Sequence, residues 1–370
     1  MGSRILGKIK MKILVVGPAN HPIVRRLVAN LENQEHEVLV VSHGTSDFKN
    51  MISIGERTSI FSYMKFNRMK EIEKKFKPDV VHAHVLNGYG LLCLFLDTPL
   101  LVALWGSDVL IDPFHGKLRR KLGYKLINFM VLKKATWLHT SSLFVAEQAQ
   151  KQYYRAKYKT SIFYWGFELK KPLDVICTET DGFLKNKYKL CGGGLIVFSR
   201  GLSSIYNPEV VAKIINLLIS MNVQKKIVVL RGLATSEEVS SFLDNVDSTK
   251  IILVNEMLED EQLYCLYKKC DIHVSIPKSD SLGGGVIEPA LLGSYPILSA
   301  LPSYKSFLEK NEGYLLESFS DKNLALLVYK IKDNSFVNSE KNIPLREYQT
   351  GSVIAQILAI YGRIIKSKKS

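Results

Sequence analysis

The chain alternates between segments with a strand-like pattern and segments with a helix-like pattern, and it does so in two separate stretches. In the first, short apolar runs such as KILVVG and DVVHAH precede segments with apolar residues at helical spacing. The alternation restarts after residue 192, with runs such as LIVFSRG, KKIVVLRG and DIHVSIP. Repeated strand-then-helix units predict a parallel sheet with helices on both faces. We therefore predict an α/β fold of two doubly wound domains.

The length of 370 residues also favours two domains, at about 150 residues each. We predict an N-terminal domain over 1–168, a linker over 169–192, a C-terminal domain over 193–345 and a closing amphipathic helix over 346–370. The linker mixes proline, glycine and charge without a clear period. Because ligands of open α/β sheets bind beyond the carboxyl ends of the strands, we expect a site in a cleft between the two domains.

The chain carries a net charge of +15, which predicts an anionic partner. No zinc-binding spacing or RNA-binding aromatic pattern is present, so nucleic acid is not predicted. Basic clusters such as GKLRRKLGYK suit peripheral contact with an anionic membrane, and a solvated surface is the alternative. The longest apolar run is broken by Asp97 and Pro99, so no transmembrane helix is predicted. Five cysteines without a CxxC pair favour a cytoplasmic protein, at most peripheral on the inner face of the membrane.

The segment DSLGGGVIEPALLG predicts the main binding site. Its three glycines, Gly283 to Gly285, let backbone N–H groups approach a ligand closely, and the helix that follows favours a phosphate at its positive end. Asp280 and Glu288 can accept hydrogen bonds from hydroxyl groups. Phosphates and sugar hydroxyls occur together in a nucleotide sugar. The alternative is a glycine turn whose acids are solvated or cap the helix.

The longer segment DSLGGGVIEPALLGSYPILSA resembles the donor site of the retaining glycosyltransferases of glycosyltransferase family 4, which have the GT-B fold. Their signature is an acid followed, after seven residues, by Glu. The resemblance implies two Rossmann-like domains facing a cleft, with a closing helix that crosses back to the first domain. It also implies that Asp280 contacts the donor sugar and Glu288 the ribose, although the family usually has Glu at the first position. The implied donor-binding residues of this segment are Asp280, Ser281, Leu282, Gly283, Gly284, Gly285, Val286 and Glu288.

The segment VFSRGLSSIYNPEVV resembles the strand in which the family holds the diphosphate with an Arg and a following Lys. Arg200 matches the Arg, and a guanidinium suits phosphate oxygens. The Lys is absent, because Ile205–Tyr206–Asn207 stands at that place. Arg231, at the end of the next predicted strand, is a candidate to replace the charge, and a plain surface position is the alternative.

The segments DVVHAH, LWGSD and VVGPANHPIVRR resemble acceptor-side elements of the family. The resemblance implies that His84 faces the cleft from the end of its strand. Trp105 stands where the family often has another His, near the reacting sugar. The implied acceptor-side residues are Gly17, Asn20, His21, Trp105, Gly106, Ser107 and Asp108. A helix-capping role for Asn20 is an alternative. His82 and His84 alternate as zinc ligands can, but no third ligand is apparent, and a buried histidine is the simpler interpretation of His82.

The resemblance implies a retaining sugar transferase of the hexosyltransferase type that needs no metal and no other cofactor. Arg200, Asp280, Glu288 and His84 are its implied catalytic residues, with the departing phosphate helping to deprotonate the acceptor. The donor is a nucleotide diphosphate sugar and the acceptor a glycan or lipid-linked molecule, as in bacterial surface polysaccharide assembly. Two alternatives stay open: a non-catalytic nucleotide-sugar-binding protein and a nucleotide-sugar 2-epimerase.

Overall fold

The computed structural model describes residues 10–114, 116–190, 194–336 and 348–369. These residues form two compact units. Unit 1 contains the described residues up to Gly166 together with 348–369, and unit 2 begins at Phe167 and is described to 336. The predicted starts of the C-terminal domain at 193 and of the closing segment at 346, and the first nine residues, lie outside the described residues.

Unit 1 is built on a seven-stranded sheet in which every pairing is parallel. The strand order is β3-β2-β1-β4-β5-β6-β7. The strands are β1 (Lys12–Val16), β2 (Glu37–Ser42), β3 (Met51–Ser53), β4 (Val80–His84), β5 (Leu100–Leu104), β6 (Trp137–Thr140) and β7 (Thr160–Ile162). The helices of the unit before its end are α1 (Pro22–Asn33), α2 (Phe66–Phe76), α3 (Gly90–Leu92), α4 (Ser107–Leu110), α5 (Leu118–Lys134) and α6 (Leu143–Gln152).

Unit 2 repeats this architecture with a six-stranded parallel sheet of order β10-β9-β8-β11-β12-β13. The strands are β8 (Leu195–Phe198), β9 (Lys226–Leu230), β10 (Ile251–Val254), β11 (Cys270–Ser275), β12 (Tyr295–Ser299) and β13 (Tyr314–Leu316). The helices are α7 (Leu173–Tyr188), α8 (Pro208–Ser220), α9 (Ser236–Leu243), α10 (Asp260–Lys268), α11 (Gly284–Leu291), α12 (Pro302–Leu308) and α13 (Asp321–Lys332). Two sheets with interleaved helices confirm the predicted α/β fold of two doubly wound domains.

The final helix, α14 (Thr350–Lys369), is part of unit 1. Its apolar residues join those of β1 and α1 in one buried cluster, in which Ile13, Val353 and Ile357 are almost completely inaccessible to solvent. The Tyr361 hydroxyl lies 2.7 Å from Nδ1 of His82 in β4. The helix therefore closes one face of the first sheet by apolar burial and by one buried polar contact.

Two features of the fold differ from the sequence-based expectation. Most of the segment 169–192, which we expected to be an irregular linker, is the helix α7. The helix packs on α10 and buries little more than Ile176 and Leu184. Its apolar residues therefore show too weak a period for the sequence to reveal the helix. Sequence reasoning also missed β3, β7 and β13, each three residues long and each at an edge of its sheet. Strands this short show no period, and they form because a neighbouring strand offers hydrogen bonds.

Candidate functional site

The second sheet brings two of the predicted donor-binding segments together. In its strand order β8 has β9 on one side and β11 on the other, so the chain reverses direction across the sheet between β8 and β11. Such a switch point leaves a crevice at the carboxyl ends of the two strands, which is where α/β sheets bind ligands. Arg200 follows β8 and Asp280 follows β11, and they meet at this place although 80 residues separate them.

The Arg200 guanidinium is held in position from several sides. Its Nη2 donates to Oδ1 of Asp280 at 3.1 Å, and its Cζ lies 4.9 Å from the centre of the Tyr206 ring. Only 16% of the Arg200 side chain and 10% of the Asp280 side chain are exposed. Burial by itself would lower the pKa of Arg200, but Asp280 and then the tyrosines around it raise that pKa above its usual range. Nε of Arg200 is buried and has no hydrogen-bond partner among the described residues. The site therefore holds a fixed positive charge with one unused donor.

The Asp280 side chain has contacts within the protein at both oxygens. Oδ1 accepts from Arg200, and Oδ2 accepts from the Gly283 N–H at 3.1 Å and from the Tyr304 hydroxyl at 2.7 Å. The Ser303 hydroxyl donates to the backbone carbonyl of Asp280 at 2.8 Å. Tyr304 and Ser303 lie on α12, which follows the neighbouring strand β12. Asp280 thus ties the glycine loop to α12 and orients the guanidinium.

The three glycines leave room for the charged side chains around them. A Cβ atom at Gly283 would lie 2.9 Å from Nη1 of Arg200, and one at Gly285 would lie 2.8 Å from Cδ of the same residue. A Cβ at Gly284 would lie 3.0 Å from a carboxylate oxygen of Glu288. The two distances to Arg200 are shorter than Cβ contacts in real proteins, so at Gly283 and Gly285 the loop depends on glycine for close packing against Arg200. The preceding Leu282 has a φ of 69°, a conformation that non-glycine residues adopt at a cost.

The N-terminus of α11 has two backbone N–H groups without an acceptor among the described residues. The Gly283 N–H donates to Asp280, and the Val286 N–H donates to the Gly283 carbonyl at 3.0 Å. The described residues supply no acceptor for the N–H groups of Gly284 and Gly285. With the positive end of the helix dipole behind them, these two groups have the arrangement that favours an anion.

The other predicted donor-side residues lie at different depths. Glu288 is buried in α11. Burial raises the pKa of Tyr267, and the negative charge of the nearby Glu288 raises it further. Ser281 and Val286 are also buried. Arg231 is directed to its own loop, where Nε donates to the Ala234 carbonyl at 2.9 Å and Nη1 to Oδ1 of Asn255 at 3.2 Å. No contact of Arg231 with Asp280 or Arg200 side-chain atoms is present among the described residues.

Unit 1 has an equivalent switch point between β1 and β4, and two predicted acceptor-side residues meet there. Gly17 follows β1, and His84 ends β4. A Cβ at Gly17 would lie 3.1 Å from Cβ of His84, so the glycine allows the histidine to pack against it. His84 is completely buried, and neither of its ring nitrogens has a hydrogen-bond partner among the described residues.

Aromatic rings surround His84. The Trp105 ring centre lies 5.8 Å from that of His84 and 4.4 Å from that of His21, and the Trp165 ring centre lies 6.1 Å from His84. Burial, and then the nearby His139 and His21, lower the pKa of His84 to about 3. The residue is therefore neutral near pH 7, where it can exchange hydrogen bonds with a hydroxyl but is a weak base.

Asp108 and Asn20 have local structural contacts. The buried Asp108 carboxylate accepts from the backbone N–H groups of Leu86 at 2.7 Å and Gly106 at 2.8 Å, and burial raises its pKa to about 6. Nδ2 of Asn20 donates to the Thr45 carbonyl, and the cap of α1 is His21 and not Asn20. The alternative in which Asn20 caps the helix is therefore wrong.

The remaining acceptor-side residues are Gly106, whose φ of 105° requires glycine, and Ser107, which is exposed. Ser107 is the first residue of α4. His82 and His84 stack at 4.5 Å, and Nδ1 of His82 contacts Tyr361. Within the described ranges, no group of three or more His, Cys, Asp and Glu side chains is placed to hold a metal ion.

Sequence reasoning missed the aromatic and hydroxyl groups that complete both sites. Tyr206 stands where the family resemblance implies a lysine, and its ring stacks on Arg200. Tyr304 lies 24 positions from Asp280, and Trp165, near the end of the first segment of unit 1, contacts His84. Nothing in the local pattern marks these residues, since only the parallel sheets bring their loops to one edge.

Known proteins share this architecture. Residues 12–142 match the family described as glycosyl transferase 4-like. A glycosyltransferase of Rickettsia africae superposes with a TM-score of 0.70 at 15% identity, over 97% of this chain and 99% of that one. Sucrose-phosphate synthase of Thermosynechococcus elongatus gives 0.73 at 12% identity, over 97% and 100%. HepE of Anabaena, solved with UDP and glucose, gives 0.67 at 13% identity, over 97% and 100%.

No curated protein sequence matches the chain. TM-scores of 0.67 to 0.73 show a shared fold and, at identities of 12–15%, no more than that. The family match lies within unit 1. The chain therefore has the GT-B fold of the glycosyltransferases, and its N-terminal unit matches the glycosyltransferase 4-like family.

Proposed function

We propose that this chain is a retaining glycosyltransferase of the hexosyltransferase type that transfers a sugar from a nucleotide diphosphate sugar. The observation that carries the proposal is the meeting of Arg200, Asp280 and the start of α11 at the switch point of the second sheet. A fixed cation, free N–H groups and buried carboxylates at one place match the chemistry of such a donor. HepE, with UDP and glucose in its structure, supports a donor of this class.

The diphosphate is the part of the donor that the site suits best. Arg200 has an unused Nε donor, and Gly284 and Gly285 have unused N–H groups at the positive end of α11. Negative charge grows on the diphosphate as the sugar–phosphate bond breaks, so these donors stabilise the transition state more than the ground state. Because the Asp280 contacts fix the guanidinium beforehand, little reorganisation accompanies the reaction.

The two carboxylates have separate roles in this proposal. Glu288, buried in α11 beside Tyr267, binds the ribose hydroxyls. Asp280 positions Arg200 and the loop, and its reach toward the donor sugar is shorter than that of the family's Glu by one methylene group. No side chain acts as a nucleophile, and the departing phosphate helps to deprotonate the acceptor.

We propose a glycan or a lipid-linked molecule as the acceptor, and a cytoplasmic place in the synthesis of bacterial surface polysaccharide. The net charge of +15 supports an acceptor held at an anionic surface. Around the carboxyl ends of β1 and β4, the rings of His21, Trp105 and Trp165 form an aromatic group of the kind that packs on sugars. Within this group the neutral His84 supplies hydrogen-bonding nitrogens.

A second candidate function is nucleotide-sugar binding without transfer. It is favoured by one observation: both Asp280 oxygens already accept hydrogen bonds within the protein, which directs the carboxylate to Arg200, the glycine loop and Tyr304. Turnover distinguishes it from the transferase.

The test is a thermal-shift panel of UDP, GDP, ADP and CMP sugars, followed by incubation of each binder with lipid-linked and free glycan acceptors. Ligand that binds the native state raises the melting temperature through mass action, so weak donors register at high concentration. We expect one nucleotide class to bind, binding to fall in Arg200→Ala, and product with the donor's anomeric configuration. Absence of any binder would overturn both candidates, binding without turnover would favour the second, and an inverted product would refute retention. Interconversion of a donor without acceptor would instead indicate a 2-epimerase.

A further inference from the structure

The outer face of α5 in unit 1 is apolar and exposed. Leu118, Leu122, Leu126 and Phe129 are exposed to 72%, 58%, 59% and 43%. At 3.6 residues per turn these four positions lie within an arc of about 80°, so they form one continuous stripe. Other residues of the helix, such as Val131 and Leu132, are buried and make its contact with the core. The stripe is therefore not part of the core of unit 1.

Positive charge borders the stripe on both sides. The basic residues of α5 are Arg119, Arg120, Lys121, Lys125, Lys133 and Lys134, and the helix has no acidic residue. In the sequence, no acidic residue occurs between Asp112 and Glu147. On the helical projection, Arg119 lies about 20° beyond Leu126, and Lys125 about 20° before Leu118. An apolar stripe with cations along both edges is the pattern of a helix that lies in a membrane interface.

A neighbouring turn extends the same surface. The Phe129 ring lies 5.7 Å from Tyr153, which begins the segment leading into the helical turn Tyr154–Lys159. Tyr154 and Tyr158 in this turn are exposed to 64% and 72%. Each has a cation over its ring, Arg155 at 5.7 Å and Lys157 at 5.9 Å. Tyrosine and basic side chains are enriched where a protein meets lipid headgroups.

A basic cavity lies beside the helix. It has a volume of about 540 Å³ and is lined by Ile60, Lys117, Arg119, Arg120, Gly123, Tyr124 and Ile127. This lining combines three cations with apolar side chains and includes no carboxylate. Its composition suits an anionic headgroup attached to hydrocarbon.

We propose that the basic apolar face, consisting of Leu118, Leu122, Leu126, Phe129, Tyr154 and Tyr158, docks unit 1 on an anionic lipid bilayer. α5 is 17 residues long, about 25 Å, and lies along the bilayer surface with its stripe among the acyl chains. Lipid fits better than a protein partner, because the cations on both edges match a surface that is anionic all round the stripe. None of the helices in the described ranges is long and apolar enough to cross a membrane. The inference deepens the proposed function by locating the surface at which a lipid-linked acceptor is met.

The experiment is co-sedimentation of the full chain with vesicles of phosphatidylcholine alone and of phosphatidylcholine and phosphatidylglycerol in equal parts. We expect binding to the anionic vesicles, weakened by salt, and much weaker binding to the neutral ones. Leu122→Asp/Leu126→Asp should lower the partition constant about tenfold or more for each leucine, since burying one leucine corresponds to roughly that factor. Arg119→Glu/Lys125→Glu should lower it on anionic vesicles and reduce its salt dependence.

Leu326→Asp is the matched control, because Leu326 is exposed to 46% on α13 of unit 2 and has no place in the proposed face. Equal binding of Leu122→Asp/Leu126→Asp and the wild type, or equal loss in the Leu326 control, would overturn the proposal. The proposal would also be overturned if the wild type does not bind vesicles but forms a dimer that dissociates in the leucine variants, because the face would then bind a second copy. Nucleotide-sugar thermal shifts, measured without lipid, should be unchanged in all variants and test the proposed function separately.

Discussion

Removing the negative charge of Asp280 tests the arrangement on which the donor site depends. Asp280→Asn keeps the size of the side chain and its ability to accept from Gly283 or Tyr304. It leaves the Arg200 guanidinium without its counter-charge in a place where 16% of that side chain is exposed. Breaking a buried ion pair by removing one partner costs about 3–5 kcal/mol, and the slight exposure favours the lower end, about 3 kcal/mol. That is a large part of a typical stability of about 5–15 kcal/mol.

The loss should be confined to unit 2, and the cysteines allow each unit to be followed separately. Cys270 lies buried in β11 of unit 2, and Cys93 is buried in unit 1. Pulse thiol labelling across a urea gradient, with each labelled peptide measured by mass spectrometry, gives an unfolding free energy for each site. We expect Asp280→Asn to lower the value at Cys270 by about 3 kcal/mol and to leave Cys93 nearly unchanged.

Two variants serve as controls. Tyr304→Phe removes the hydrogen bonds of its hydroxyl with Asp280 and Ser275 and keeps the ion pair, so it should cost only about 2 kcal/mol. Asp280→Glu keeps the charge and should cost less than Asp280→Asn. Pyrophosphate should restore more protection to Asp280→Asn than to the wild type, because the anion replaces the missing negative charge beside Arg200. A change at Cys270 below about 1 kcal/mol, or an equal change at Cys93, would refute the reasoning.

Three further outcomes follow from the packing of the two units. Gly285→Ala should lower donor affinity about tenfold or more by displacing Arg200, whose Cδ would lie 2.8 Å from the new Cβ; Gly182→Ala, at an open position in α7, should instead stabilise the fold by about 1 kcal/mol. Calorimetric titration and urea unfolding measure these, and unimpaired binding by Gly285→Ala would contradict the first. Burial lowers the pKa of His84 to about 3, and it lowers that of His139 to about 4 against an opposing backbone hydrogen bond. Because both histidines bind a proton more readily in the unfolded chain, the free energy of unfolding is highest above about pH 6.5 and falls as the pH drops. At pH 5 the loss should be about 2 kcal/mol for each, followed by tryptophan fluorescence since all three tryptophans lie in unit 1, and a flat profile would disprove it.

Much of the fold could be predicted from the sequence. Central strands such as β5 and β8 are buried on both faces, so they occur as continuous apolar runs. The edge strand β13 and the helix α7 could not be recognised in this way, because each buries too few residues to impose a period. Their place is set by the neighbour on which they pair or pack.

The candidate site was also predictable only in part. The glycine loop, Asp280 and Glu288 could be identified from one segment, since backbone flexibility, charge and helix position are local properties. Arg200 is implied by the resemblance of its segment to the family's diphosphate-binding strand. The contacts of Asp280 with Arg200 and Tyr304 could not be predicted, because a sequence does not say which of several strand ends are neighbours.

The sequence by itself determined the class of fold, the two-domain plan and the chemical types available for binding, because these depend on local periodicity and composition. Only the tertiary structure decided which of those groups act together. The order of the parallel strands brings the ends of β8 and β11 side by side, and that is why the shorter acid Asp280 holds Arg200 in place instead of standing free in the loop. It also left the leucines of α5 on the surface, because the core of unit 1 is covered by other residues of that helix.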